Sequence, residues 1–162
     1  ARAVGLSDGA IFRHFASKQA MCAAALHVVD DALAGTFPDP TLPPLRKLEH
    51  LFCERARLVH DRPSVGAMLN GGALLLGGDA LLQDRARAWH IISRRHVAAA
   101  ILDASARGSL REEVSVEDMV LVVEGTLLAV SRSAAEHGAL PPALRAARTW
   151  ASLAHLLRKP SI

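Results

Sequence analysis

The sequence predicts an all-α protein, and three observations carry that prediction. Apolar residues recur at helical spacing in successive segments, and proline and glycine clusters divide those segments. Hydrophobic residues make up 51% of the 162-residue chain but aromatics only 4%, with no tyrosine. Leucine, alanine and valine must therefore fill the interior, which lets helices approach closely. A chain of this length can bury a real core, as one helical body or two closely packed ones. A formal net charge of +3 and a pI of about 9.4 are mildly basic, which permits a nucleic-acid partner without demanding one. Cys22 and Cys53 are too few and too far apart for a disulfide framework or a metal knuckle, and read as free thiols in a reducing cytoplasm. No signal peptide is visible. The most apolar runs, 67–78 and 119–130, are too short to span a bilayer, and the second contains Glu124.

The elements follow in order. Residues 17–35 form a helix capped by Ser17, with Met21, Ala25, Val28, Val29 and Ala32 inward and Asp30 and Asp31 outward. The next stretch, TFPDPTLPP, holds four prolines in residues 36–44 and must be a loop. Residues 45–61 are helical, with Leu45, Leu48, Phe52, Ala56 and Val59 as the buried stripe. Pro63 suits a first helical position, and residues 64–76 continue as a short apolar helix up to Gly77 and Gly78. Asp79 caps a long helix reaching about residue 107, with Leu82, Arg85, Trp89, Ile92, His96 and Ala99 along one side, and Gly108 ends it. Ser115 with Asp118 is a capping-box variant that opens a helix to about residue 137. Between residues 119 and 130 that helix is apolar nearly all round, so cover on two sides is expected. Gly138 stops it. Pro141 and Pro142 open the last helix, whose stripe is Leu144, Ala147, Trp150, Ala151, Ala154 and Leu157.

Function is most legible in residues 3–18, AVGLSDGAIFRHFASK, which read as a helix end, a turn, a short helix and the start of another. Gly5 supplies the turn, Ser7 caps the short helix, and Ile11 and Phe15 at i, i+4 face a core. The other side carries Asp8, Gly9, Ala10, Phe12 and Arg13, a mixture of small, polar and basic groups that suits a DNA major groove. Asp8 can accept from a cytosine amino group, Ala10 and Phe12 can pack on thymine methyls, and Arg13 can reach guanine or phosphate. His14 and Lys18 flank the joint as candidate phosphate ligands.

Gly5-Leu6-Ser7, Gly9, Ile11-Phe12, His14-Phe15 and Ser17-Lys18 together resemble the second half of the helix-turn-helix of TetR-type (TetR/AcrR) transcriptional regulators, whose pattern is A-G-V-S-x-G-x-[LI]-Y-x-H-F-x-S-K. Two positions depart from it. Val4 replaces a small residue before the turn glycine, and Phe12 stands where the family has tyrosine, so the phosphate contact of that hydroxyl does not carry over. The resemblance is sharp over the first 26 residues and becomes one of helix pattern beyond them. It implies a DNA-binding unit whose first helix and most of whose second lie ahead of Ala1. It further implies that the last two helices pair with their twins in a homodimer through Val120, Val123, Leu127, Leu144, Ala147, Trp150, Ala151 and Ala154; the alternative for the same stripes is intramolecular core.

Within the remaining helices, Glu124, Gly125 and Thr126 interrupt an apolar run, and Trp89, His90 and Ser93 sit on the helix expected to pack near it. With Phe52, and with Met68 and Asn70 as further candidates, they are expected to line a cavity that takes a mostly hydrophobic effector. Glu124 would favour a guest with an amine or another hydrogen-bond donor. An equally weighted alternative is a buried hydrogen-bonded pair that only specifies packing. His50, Cys53 and His60 do not converge on a helical wheel, so no metal is expected, nor any other cofactor. No Gly-rich phosphate loop, nucleophile–base pair or paired carboxylates mark an enzyme. The expected protein is a cytoplasmic, homodimeric, ligand-responsive repressor of transcription, with residues 1–36 the end of a DNA-binding domain and its connecting helix, and 37–162 a regulatory bundle. A constitutive DNA-binding protein without an effector, and an all-α enzyme or carrier with an incidental helical hairpin, remain the alternatives.

Overall fold

Short-range signals in the sequence decide where each helix begins and ends. The computed structural model describes residues 15–69, 80–134 and 140–160, and six helices lie among them: α1 (Lys18–Ala34), α2 (Pro44–Asp61), α3 (Pro63–Ala67), α4 (Ala80–Ala106), α5 (Val116–Ala134) and α6 (Pro142–Leu157). The Ser17 side chain accepts the Ala20 N–H at 3.1 Å and starts α1, while the Gly35 N–H returns to Asp31 and Leu33 to end it. In the proline loop, Asp39 Oδ1 accepts both the backbone N–H and the hydroxyl of Thr41, at 2.8 and 2.6 Å. Pro44 then opens α2 and Pro63 opens α3, each where its missing N–H costs nothing. Gly108 stops α4 with φ at +67°, the left-handed conformation that a glycine adopts without strain. At the start of α5, Ser115 Oγ accepts the Asp118 N–H at 3.1 Å and donates to Asp118 Oδ2 at 2.7 Å. The reciprocal cap expected from the sequence is therefore present, with the carboxylate meeting the hydroxyl rather than the backbone.

α2 is the central element, and each of the other five helices packs against it. Its Leu48, Leu51, Phe52, Ala56 and Val59 are at most 1% exposed. They form one core with Val97, Ala100, Ile101 and Ala104 of α4, the inner face of α5, and Ala146, Trp150, Leu153, Ala154 and Leu157 of α6. The Phe52 and Trp150 rings meet at 5.3 Å and 48°. A second cluster gathers Leu26, Val29 and Leu33 of α1 with Val65, Leu69 and Trp89. The chain after α4 is tied to the end of α6 by backbone bonds from Arg111 to Leu157 and from Lys159 to Ser109, at 3.0 and 3.2 Å. Among the described residues no helix is long and apolar enough to cross a membrane.

Several faces differ from the sequence expectation. On α1 the buried residues are Leu26, Val29 and Leu33, whereas Ala25 and Val28 are exposed and Asp30 is half-buried rather than outward. On α4 the expected line through Ile92, His96 and Ala99 faces solvent, and the inward line steps by four from Trp89 to Ser93 and Val97. That step brings one long helix across both clusters in turn. α5 is covered on one side only: Met119, Val120, Val123, Leu127 and Val130 are buried, while Leu121 and Val122 are 64% and 50% exposed. On α6 the expected stripe is displaced as well, with Leu144 and Ala151 exposed and Ala146 and Leu153 buried.

One close approach holds α3 on α2. A Cβ added at the buried Gly66 would lie 2.7 Å from Val59 Cγ1 and 3.3 Å from Val59 Cα. Gly66→Ala should therefore overpack this crossing and lower stability by about 1–3 kcal/mol, read as a fall in the thermal midpoint. An unchanged midpoint would show that α3 does not pack this closely.

Candidate functional site

Between α2, α4 and α5, closed in part by Leu69 just after α3, lies a cleft of about 310 Å³, at the small end of the size range of ligand pockets. Its apolar wall includes Val59, Leu69, Val97, Leu127 and Leu128. The polar groups on it are Arg55, His90, Ser93, Glu124 and Ser131, with the indole of Trp89 between the two sets. At Gly125 an added Cβ would meet nothing within 4 Å, so the cleft keeps open space beside α5.

The site is partly the one expected. Trp89, His90, Ser93 and Glu124 line it together, from α4 and α5. Phe52 does not; it is 0% exposed in the main core, where its ring is committed to Trp150. Met68 packs against the second cluster. Thr126 donates its hydroxyl to the Val122 carbonyl one turn back at 2.7 Å, the usual resting place for a helical threonine. Asn70 lies outside the described residues. The preference for an amine guest also falls, because Glu124 accepts from Arg94 Nη1 at 2.8 Å and already has its cation.

Arg55 is the residue the sequence reading passed over. It shares the inner face of α2 with Leu48, Phe52 and Val59, at helical spacing, which is the signal that could have found it. It is only 7% exposed. Its Nη2 donates to Thr36 Oγ1 at 3.3 Å and to Ser93 Oγ at 3.4 Å, both long for hydrogen bonds. Its Nε is fully buried with no partner among the described residues. The guanidinium carbon lies 6.0 Å from the centre of the Phe37 ring, which is stacked at 4.1 Å on His96. Burial lowers the Arg55 pKa to about 10, still leaving it charged at neutral pH. Burial, and then the Arg55 charge, lower the pKa of His96.

Two contacts run from this site to α1. Thr36, just past the end of α1, accepts from Arg55 while donating to the Leu33 carbonyl at 2.7 Å. On the other side, the Trp89 Nε1–H donates to Asp30 Oδ1 at 2.6 Å, and Arg85 grips the same carboxylate with its Nε at 3.0 Å and its Nη2. Burial acts to raise the Asp30 pKa, but the hydrogen bonds from Arg85 and Trp89, with the charges of Arg85 and His27, outweigh it and hold the pKa below the usual value.

The DNA-binding candidates Ser7, Asp8, Gly9, Ala10, Phe12, Arg13 and His14 lie outside the described residues, and of Lys18 only its place as the first residue of α1 is described. The dimer candidates divide. Val120, Val123, Leu127, Trp150 and Ala154 are at most 6% exposed, in the core of this same chain, so they offer no surface to a second copy. Leu144 and Ala151 are exposed and Ala147 is half-buried. The apolar surface left open on α5 and α6 is instead Leu121, Val122, Leu144, Ala151 and Leu156.

The architecture is that of TetR-family regulators. The structure superimposes on the ketosteroid transcriptional regulator KstR2 of Mycobacterium tuberculosis with a TM-score of 0.81, at 18% identity, over 98% of this chain and 82% of that one. A tetR-family regulatory protein from Rhodococcus RHA1 gives a TM-score of 0.70 at 16% identity, covering 99% and 84%. A TetR/AcrR-family transcriptional regulator from Thermobifida fusca YX-ER1 gives 0.67 at 16%, covering 98% and 84%. No protein-family profile and no curated protein matches the sequence.

The Asp30 contacts make a pH signature. Because the folded-state pKa lies below the ordinary value of about 3.9, the stabilisation they give is complete above that value and is lost as pH falls through the folded pKa. Asp30→Asn should remove this component, so its melting temperature should fall less than the parent's between neutral pH and about pH 3. Parallel acid profiles for the two proteins would show that the carboxylate is not engaged.

Proposed function

We propose that this protein is a cytoplasmic, ligand-responsive DNA-binding regulator of transcription, acting as a homodimeric repressor. The observation that carries the reading is that one side chain, Trp89, lines the cleft and is hydrogen-bonded to α1 through Asp30. α1 begins where the helix-turn-helix pattern of residues 3–18 ends, so a guest touching the indole acts on the helix that holds the DNA-reading segment. The shared fold with TetR-family regulators supports the same reading. In a dimer the two recognition helices must sit about one DNA turn apart, ~34 Å, to enter successive major grooves. A guest that binds better to a state with another spacing releases the operator, whereas one that binds both states equally changes nothing.

The second copy docks, in this reading, on the outer faces of α5 and α6, where Val122, Leu144 and Ala151 are exposed. The Leu127 face is not the interface, since it is spent inside the chain. Val122→Arg and Ala151→Arg should each turn the dimer into a monomer in sedimentation while leaving the helical content intact. Leu127→Arg should instead unfold the chain by burying an unpaired charge. A tight dimer in both surface variants would place the interface elsewhere.

DNA binding is tested on the full-length protein with a duplex selected by it from a random pool. Lys18→Ala should weaken binding to all sequences alike and lower the salt slope by roughly one unit. Asp8→Ala should change which base is preferred. Equal losses on every sequence for both variants would contradict these roles, and no salt-dependent DNA binding at all would contradict the proposal. Asp30→Ala should keep the affinity for any releasing ligand while blunting the release itself; full release by that variant would show that Trp89 and Asp30 do not couple the two sites.

A further inference from the structure

We infer that the guest of the cleft is an acid: an apolar molecule bearing one carboxylate, with Arg55 as its counter-ion. This deepens the proposal of a ligand-responsive regulator and rests on it. A guanidinium taken out of water needs an anion or a full set of hydrogen bonds, and Arg55 has neither among the described residues. Its Nη2 makes two long contacts, both to neutral hydroxyls, and its Nε makes none. The carboxylate that shares the cleft, Glu124, is held by Arg94. A solvated surface arginine tolerates such a state easily, but this one is 7% exposed and forms part of the wall of a mostly apolar cleft. The surrounding Val59, Val97 and Leu127 have no hydrogen-bonding groups in their side chains and offer a guest only apolar contact. Carbon skeleton against the leucine and valine wall, with a carboxylate turned toward Arg55 and Ser93, is the arrangement that gives the guanidinium its counter-ion while keeping the apolar wall dry. An amine would meet the guanidinium with like charge, and a neutral amide or alcohol would leave it without a counter-ion.

The same residue places the acid in the path to α1, because the Arg55 guanidinium also donates to Thr36 at the end of that helix. A carboxylate that draws Arg55 toward the cleft competes directly with the Thr36 contact.

The test uses the full-length protein with two matched series of the same carbon skeletons: decanoate, decanamide and decylamine, and phenylbutanoate with its amide and its amine. Binding is followed by calorimetry, and in parallel by release of the selected duplex. The acid of each series should bind about ten- to a hundredfold more tightly than its amide, the range expected for a charged hydrogen bond in a buried site; the amine should bind weakest. Arg55→Met should bring acid and amide to equal affinity, and Arg55→Lys should restore much of the acid preference. Should Arg55→Met fail to fold, Arg55→Lys still reports: a single ammonium cannot match the two-pronged contact, so the acid preference should shrink without vanishing. Amide and acid binding equally to the parent protein, or an acid preference undiminished in both variants, would overturn the inference while leaving a ligand-responsive regulator intact. Acids that bind through Arg55 of a protein showing no salt-dependent DNA binding would contradict the regulator and leave the acid site standing. If no member of either series binds, the acid assignment is wrong.

Discussion

Among the described residues, the structure depends on one helix whose inner face has to serve five neighbours at once. α2 touches each of the other described helices, and its inner face must supply the packing surface for all of them. Leu48, Leu51, Phe52, Ala56 and Val59 do so, and removing any large one would leave a void that five neighbours cannot collapse to fill. Arg55 sits on the same face. Placing a guanidinium at the most enclosed helix of a bundle is costly, and the cost is offset only in part by Thr36, Ser93 and the Phe37 ring. A core chosen for stability alone would have an apolar residue there. The arginine is therefore the residue on this face whose cost the proposed acid guest would offset.

That position also gives the cleft its leverage. The cleft is walled by side chains that have second contacts elsewhere: Arg55 reaches Thr36, and Trp89 reaches Asp30. One second contact ends just past α1 and the other on it; among the described residues α1 is held further by the Arg85–Asp30 ion pair and by a modest cluster of Leu26, Val29 and Leu33 against Val65, Leu69 and Trp89. A weakly anchored helix joined to a cleft at two points is the kind of element whose position a small guest can bias, since shifting it sacrifices only a small cluster. The main core, built on α2 and α6, is larger and would stay put. Coupling between the cleft and α1 would therefore have to change the Arg55–Thr36 or the Trp89–Asp30 bond.

Chain boundaries were legible because they are written locally. Ser17, Gly35, Pro63, Gly108 and Ser115 each start or stop a helix through their own backbone or side chain where the sequence places it, whereas Pro44, read as the last loop residue, is the first of α2. Helix faces were less legible, because they depend on what lies opposite. α1 and α4 were read one residue out of phase over part of their length, and α4 serves two clusters in succession, which no single stripe describes. The all-round apolar surface of α5 gives no way to tell from sequence the side that meets α2 from the side left open: Val120, Val123 and Leu127 are core, and Leu121 and Val122 are the exposed pair. In the cleft, Trp89, His90, Ser93 and Glu124 were found because polar groups interrupting apolar helices are visible in sequence. Arg55 is harder to see because the chain carries many arginines on helical surfaces; its spacing with Leu48, Phe52 and Val59 is the one sequence sign, and the packing of five helices around α2 gives that sign its meaning.

The central claim is that filling the cleft is felt at Asp30. The chain has two tryptophans, Trp89 on the cleft wall and Trp150 in the main core against Phe52, so their indole N–H resonances report the two places separately. Titrating decanoate into the full-length, nitrogen-15-labelled protein should move the Trp89 indole signal, as its bond to Asp30 lengthens or reorients, and leave the Trp150 signal in place. A Trp89 signal that stays fixed while decanoate binds would contradict the account, because the cleft would then be occupied without any change at the Trp89–Asp30 bond through which its filling is said to reach α1.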